Sequence, residues 1–359
     1  MLTPVERAKI QNKILLNAYA DSNTPVLATY PRRIQILPTL RCNYRCRMCF
    51  QPDEDHKQGG EIDFALLRKL EHVYPFMEEV YFTGGEPLLY SRLEEATRLF
   101  AAHGVRVTMS SNGSLLKGEL LPLALDHFHM IKVSIDAASP KTYAGIRING
   151  NFNNVIANLA RVSAMKGQRR SLTPHLQFGF VAMRSNIEEL PKLVALAADI
   201  GISSIHVGHV ASGEVQGDMG DESLSRHKEL SDEQFLRAQE MAQALGVEIR
   251  LPRLFGAAGG TQDAKPSTTK VYDTGICKEP WKFMLLNPDG RISICCHKGI
   301  IAGNLAESDF DEIWNNAFYQ RIRRTLNTAN EPPECSGCPY YKRTLMAERA
   351  REPQAQAVV

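Results

Sequence analysis

Apolar and polar positions change rhythm along this chain in a repeating way. Short apolar-rich runs bounded by turn residues alternate with longer stretches whose apolar positions recur at three- and four-residue steps. "RIQILP" (Arg33 to Pro38) predicts a first strand. "DFALLRKLEHVYPF", from Asp63, has helical spacing, and "EEVYFTGG" predicts a short strand ending in glycines. "SRLEEATRLFAAHG" is a second helix that stops on Gly104, a C-terminal cap signal. "VRVTMSSNG" and "MIKVSIDA" predict further strands. "HLQFGFVAM" precedes a helix from about Asn186, "ISSIHVGHV" is another strand, and "SDEQFLRAQEMAQALG" with "VEIRLP" completes the series. Strand then helix, repeated about six times, implies parallel βαβ units with right-handed crossovers. A closed barrel, a partial barrel and a doubly wound sheet all satisfy this pattern. In each, chemistry gathers at the C-terminal ends of the strands.

The informative residues fall at those ends. "LRCNYRCRMCF" (Leu40 to Phe50) follows the first strand and holds Cys42, Cys46 and Cys49. "TGGEPLL" (Thr83 to Leu89) follows the second, "SSNG" the third and "SID" the fourth. Glycine and asparagine end strands in any protein because they make turns, and "SSNG" alone reads equally well that way. The set aligned with three thiols describes one shared pocket.

Composition narrows the class. A chain of 359 residues predicts one large domain plus a smaller one. Hydrophobic and charged contents of 43% and 23% are those of an ordinary globular protein. A formal charge of +2, from 42 basic and 40 acidic side chains, offers no footprint for nucleic acid. The charged N-terminus is no signal peptide, and no apolar run is long enough to span a bilayer. The expected location is the cytoplasm, where thiols stay reduced, so the eight cysteines point to metal ligation over disulfides.

Those cysteines form two groups. The second begins after a Gly- and Thr-rich stretch, "GAAGGTQDAKPSTTK", that reads as a linker. In "CKEPWKFMLLNPDGRISICC" the "NPDG" turn predicts a hairpin with Cys277 and Cys295 at its open end. "GNLAESDFDEIWNNAFYQRIRRTL" predicts an amphipathic helix, and "CSGC" adds Cys335 and Cys338. Zinc and a [4Fe–4S] cluster both satisfy four thiolates. The N-terminal triplet differs. Structural zinc takes four protein ligands, whereas three thiolates on a four-iron cluster leave one iron open to a small molecule.

The Cys-x3-Cys-x2-Cys spacing of Cys42, Cys46 and Cys49, with "GGEP" after the next strand, resembles the radical S-adenosylmethionine (SAM) superfamily. The resemblance implies an α/β fold, a partial (β/α)6 TIM-type barrel. It implies a [4Fe–4S] cluster on the triplet whose open iron binds SAM, and reductive cleavage to a 5′-deoxyadenosyl radical that abstracts hydrogen from a substrate. Gly84 and Gly85 would admit the cofactor to the backbone, Pro87 would stiffen the turn, and Glu86 would accept a hydrogen bond from the SAM ammonium. Asn112, Ser134 and Asp136 resemble ribose and carboxylate contacts, although a strand-end aspartate is also a common helix cap. Arg147 resembles an arginine that pairs with the cofactor carboxylate; its other reading is a solvated surface residue. Met48 stands where many relatives carry an aromatic residue near the adenine.

Cys277, Gly290 and Cys295, followed by Cys335 and Cys338, resemble the SPASM/twitch extension of that superfamily. With "PYYKR" after the last cysteine, the resemblance implies the shorter twitch form, one auxiliary [4Fe–4S] cluster ligated by those four residues. Cys296 is left over, as a buried small hydrophobe, an alternative ligand or a hydrogen-atom donor. A fully ligated cluster suits electron transfer. The implied function is oxidation, epimerisation or decarboxylation of a small molecule such as a sugar or aminocyclitol. Maturation of a ribosomal peptide is the alternative, and a non-catalytic iron–sulfur electron carrier the reading from another class. Only about 32 residues precede the first strand, too few for a separate peptide-recognition core. A flavodoxin or ferredoxin is the expected reductant. His206 and His209 face opposite sides of a strand, and His209 is the better pocket acid–base candidate. The expected organisation is an N-terminal extension (1–32), the barrel (33–252), a linker (253–274), the auxiliary-cluster domain (275–345) and a tail (346–359).

Overall fold

Alternation within the strands decides the architecture. The computed structural model describes residues 2–51, 53–210, 219–256, 276–296, 299–336 and 338. Most of the expected linker and the whole C-terminal tail lie outside them. In chain order the strands are β1 (Arg33–Ile36), β2 (Arg45–Cys46), β3 (Glu79–Phe82), β4 (Arg106–Ser111), β5 (Phe128–Ser134), β6 (Arg147–Ile148), β7 (His175–Ala182), β8 (Ser204–His209), β9 (Glu248–Arg250), β10 (Phe283–Leu286), β11 (Arg291–Ser293) and β12 (Ile301–Asn304). Ten of them form one sheet in the order β12-β11-β10-β1-β3-β4-β5-β7-β8-β9, while β2 and β6 pair separately.

From β1 to β9 the sheet is parallel and its spatial order follows chain order without reversal. A doubly wound sheet needs a reversal, so that option falls away and a barrel-like winding remains. Right-handed crossovers in one direction put the helices on one face. That face is apolar: Ile34, Ile36, Val80, Phe82, Val107, Met109, Ile131, Val133, Phe178 and Ile205 are buried. The opposite face is polar. The register sets Gln35 beside Tyr81 and Thr108, and Ser110 beside Lys132, Gln177 and Ser204. A parallel sheet covered on both sides would read as continuous apolar runs; this one is a half-covered wall.

Two expected helices are broken. The stretch from Asp63 forms only Phe64–Arg68, N-capped by Asp63, before turns lead to a 3-10 turn at Tyr74–Phe76 that contains Pro75. The stretch after Gly303 runs through β12 into Phe310–Trp314 and Ala317–Thr325, because Asn316 caps a new helix by accepting from the Tyr319 amide.

The C-terminal segment is no separate body. β10 joins β1 in parallel register, Arg33 beside Phe283 through Ile36 beside Leu286, and one hydrophobic core runs from Leu16 to Leu326. The N-terminal helix Pro4–Asp21 and the segment after it stitch both halves together. The Trp281 indole donates to Thr24 O at 2.9 Å, Trp314 to Thr29 O at 2.8 Å, and Asn12 Nδ2 to Tyr30 O at 3.0 Å and Phe76 O at 2.9 Å. Among the described residues, no helix is long and apolar enough to cross a membrane.

Asn12→Ala strips two part-buried carbonyls of their donor, so urea denaturation is expected to show a loss of about 1–3 kcal/mol. An unchanged midpoint and slope would mean that water replaces the amide.

Candidate active site

The loop carrying Cys42, Cys46 and Cys49 is held from two sides. β2 pairs antiparallel with β6, setting Cys46 opposite Arg147, and the Arg47 amide donates to Ile146 O at 2.9 Å. From the other side the "GGEP" turn docks backbone to backbone: Gly85 N–H donates to Thr39 O at 3.0 Å and Glu86 N–H to Arg41 O at 2.8 Å. A Cβ on Gly85 would stand 2.2 Å from Arg41 O, and Gly84 has φ +116°. The glycines were expected to admit a cofactor. Their demonstrable role is to let two loops of the chain touch.

Glu86 locks this arrangement. Its buried carboxylate accepts from Ser111 Oγ at 2.8 Å, the Leu88 amide at 3.1 Å and the Asn112 amide at 2.7 Å. Burial raises its pKa and those donors oppose the rise. A carboxylate offers about four acceptor positions, so about one remains for a ligand. Pro87 opens the short 3-10 turn Pro87–Leu89 behind it. Asn112 Nδ2 donates to Asn43 Oδ1 at 2.8 Å, and Asn112 Oδ1 accepts from Ser114. The third strand end is thereby tied to the cysteine loop.

Arg147 is buried, which rules out the solvated reading. Its Nη2 meets Asp136 Oδ2 at 2.5 Å and its Nη1 donates to Cys46 Sγ at 3.4 Å. Asp136 is itself wholly buried and accepts from the Val181 amide at 2.7 Å. Expected as a cofactor contact, it anchors Arg147 and stands outside the cavity lining. Burial raises the Asp136 pKa, and Arg147 opposes that.

A cavity of about 290 Å³ gathers the three cysteines with Gly84, Gly85, Glu86, Asn112, Ser134 and Arg147. Four strand-end loops meet there, as their order in the chain predicts. Burial pushes the Cys42 thiol up to about 11 and raises Cys46 as well. Thiols held neutral exchange their protons for a metal. Among the described residues no three His, Cys, Asp or Glu side chains close around a single ion. Three sulfurs on one wall and the buried Arg147 Nε, which has no partner, nevertheless fit a cluster with an anionic ligand beside it.

The second thiol group also converges. Burial above all raises the Cys277 thiol and pushes Cys335 up to about 12; Cys335 and Cys295 add to the first rise, and Cys295 and Cys338 to the second. Asn327 holds Cys277 by both backbone groups, at 2.9 and 2.8 Å. Four sulfurs fit a fully ligated cluster. Cys296, expected as a buried hydrophobe, is exposed in the turn after β11, within electrostatic reach of Glu279, Arg33 and Tyr81.

His209 is not brought to the cavity. It is exposed, with its ring 5.2 Å from Phe255 and 5.7 Å from Phe235. It pairs in register with Ala182, on the covered face, whereas His206 pairs with Gly179 on the polar one. Strand parity favours His206 because cavity-lining Val181 shares the Gly179 face. Tyr44, Gln51 and Thr83 also line the cavity, with no signal in the sequence beyond lying beside the motifs.

Gly85→Ala is expected to cost the chain about four irons after anaerobic reconstitution while far-UV circular dichroism is retained. Full iron with the added methyl would contradict the docking. Arg147→Met leaves Asp136 buried without its cation, an expected loss of about 3–5 kcal/mol at pH 8 by urea denaturation. A raised carboxyl pKa favours the protonated folded form, so this deficit shrinks as pH falls through the folded pKa. A deficit independent of pH would contradict the pairing.

The radical SAM superfamily pattern matches residues 36–197, and an iron–sulfur cluster-binding (SPASM) domain matches 277–339. The chain is 27% identical to the AdoMet-dependent heme synthase of Methanosarcina barkeri over 89% of its own length and 92% of that protein. It is 26% identical to a probable GTP 3′,8-cyclase of Saccharolobus islandicus over 79% of its own length and 92% of that protein. Among solved structures, Streptococcus suis SuiB shares the fold at a TM-score of 0.65 and 15% identity, covering 91% of this chain and 74% of SuiB. With one cysteine group inside each matched segment, the chain carries a radical SAM domain over residues 36–197 and a SPASM iron–sulfur cluster-binding domain at its C-terminus over residues 277–339.

Proposed function

We propose that the chain cleaves SAM reductively at a [4Fe–4S] cluster on Cys42, Cys46 and Cys49 and modifies a small organic molecule held against the polar face of the sheet. Once bound, the reduced cluster and SAM supply a 5′-deoxyadenosyl radical that takes hydrogen from an unactivated carbon. The chain's own residues bind and orient. Arg147, fixed by Asp136, would offer its unpartnered Nε to the methionine carboxylate, and Glu86 would offer its remaining acceptor position to the ammonium. Ser134, Asn112 and Met48 line the cavity, where the first two would border the ribose and Met48 the adenine. The polar face formed by Tyr81, Thr108, Ser110, Lys132, Gln177 and Ser204 runs down from the cavity and receives the substrate.

The carrying observation is the convergence of four strand-end loops on one cavity above a polar sheet face. The heme synthase and the GTP cyclase are named for small molecules and align over most of the chain, which supports that substrate class over a peptide. Electron exit through Cys277, Cys295, Cys335 and Cys338 fits net oxidation of the substrate. A cytoplasmic flavodoxin or ferredoxin would supply the reducing electron.

The test is anaerobic incubation with SAM and dithionite. Release of 5′-deoxyadenosine is expected from the wild type and its loss from Cys42→Ala; no release from the iron-loaded wild type would contradict the reading. The Cys277→Ala/Cys295→Ala variant should still cleave SAM yet form no product from whichever of pooled sugars, aminocyclitols and peptides the wild type consumes.

A further inference from the structure

Two glycines interrupt the polar face of the sheet. Gly179 in β7 and Gly208 in β8 both belong to the uncovered side, since their neighbours Phe178, Phe180 and Val207 are buried in the core. A glycine inside a strand marks a place where something else comes close to the backbone. At Gly179 that something is part of the chain. A Cβ there would stand 2.6 Å from Lys132 Cε, 3.4 Å from Cγ and 3.6 Å from Cδ, so the Lys132 stem lies flat across the strand. Gly179 is in register with Ser134 on one side and His206 on the other. The Lys132 ammonium, one bond past Cε, is thereby carried to the level of Ser134, which lines the cavity of the three thiols.

At Gly208 the room is left open. Among the described residues, beyond its chain neighbours, no heavy atom stands within 4 Å of the Cβ it lacks. Gly208 is in register with Val181, which lines the same cavity, one row above His206 and Gly179. Charge distinguishes this spot further. Register aligns Ser110, Lys132, Gln177 and Ser204 across the face, and Lys132 is the ionised one of the four. Gln177 Nε2 donates to Ser204 Oγ at 3.2 Å, so those two answer each other. Two carboxylates of this region have guanidinium partners of their own: Asp136 meets Arg147, and Glu248, at the edge of the row, meets Arg250 Nε at 2.9 Å. Lys132 acts on Asp136 through charge, as a lesser influence than Arg147. A half-buried ammonium beside an open space favours an anionic partner, because a charge-assisted hydrogen bond is about twice as strong as a neutral one.

We propose that Lys132 binds a carboxylate of the substrate and that the substrate's carbon skeleton lies over Gly208, which makes the substrate an organic acid. This rests on reading the polar face as the substrate surface. One ammonium beside the Ser134 hydroxyl balances the single charge of a carboxylate, whereas a phosphate dianion calls for a second cation. Lys132 is then a specificity-determining residue that touches substrate.

The test is saturation-transfer NMR on the full chain, reconstituted anaerobically and supplied with SAM but no reductant, so that nothing turns over. The probes are glucuronate, glucuronamide and glucose 6-phosphate on one skeleton, and benzoate with benzamide on another. At least one acid is expected to bind about tenfold more tightly than its own amide. Lys132→Met should abolish that preference, Lys132→Arg should keep most of it, and Gly208→Val should weaken the acid with the charge still in place. Equal affinity of acid and amide, or no acid bound, overturns the proposal, as does a preference that survives in Lys132→Met. Glucose 6-phosphate bound in a Lys132-dependent way, with neither acid bound, overturns the carboxylate in favour of a phosphate. Should Lys132→Met fail to fold, the acid-against-amide comparison in the wild type and in Gly208→Val decides. Release of 5′-deoxyadenosine on adding dithionite separates the two failures. A wild type that releases it yet shows no acid preference sinks this proposal alone, and one that releases none sinks the underlying reading and the proposal with it.

Discussion

The contact between the "GGEP" turn and the cysteine loop is the constraint on which the site depends. Two backbone hydrogen bonds, from Gly85 to Thr39 and from Glu86 to Arg41, need the loops closer than any side chain at Gly85 allows. Once they touch, Glu86 is buried and must be satisfied from within, and the end of β4 supplies Ser111 and the Asn112 amide. Glu86 thus ties three strand ends, its carboxylate reaching the end of β4 and its backbone amide the loop after β1. Arg147 does the same on the far side, between Asp136 after β5 and Cys46. The thiols therefore sit on a wall whose shape is set by hydrogen bonds and an ion pair within the chain.

Much of this was legible in the amino-acid order. The strands, the αL glycine after the second helix and the gathering of four loops all followed from apolar rhythm and turn residues. Arg147 was ambiguous because its burial comes from β2 and β6, two residues each, far too short for any periodicity to register. The loop-docking role of Gly84 and Gly85 was hidden because φ and clearance depend on where residues 37–41 pass in space. Asp136 could be seen as a strand-end carboxylate, but its partner lies 11 residues on, across a helix. Helix breaks at Pro75 and Asn316 show local capping and proline chemistry overriding an apolar spacing that reads as continuous.

The two cysteine centres, read from the sequence as belonging to two modules, share one sheet and one core. β10 extends the barrel edge at β1, and Trp281, Trp314 and Arg323 reach back to the N-terminal segment. Docking through hydrogen bonds to backbone carbonyls and a continuous core leaves little freedom for hinge motion between the centres.

The central claim is that the three-thiol wall leaves one metal position for the amino acid end of SAM. Electron–nuclear double resonance on the reduced, anaerobically reconstituted protein, with SAM labelled by 15N at the amino group and 17O at the carboxylate, tests it most directly. The account predicts hyperfine coupling from both labels, lost when Cys42 is replaced. Iron present at full complement with no coupling from either label would contradict it.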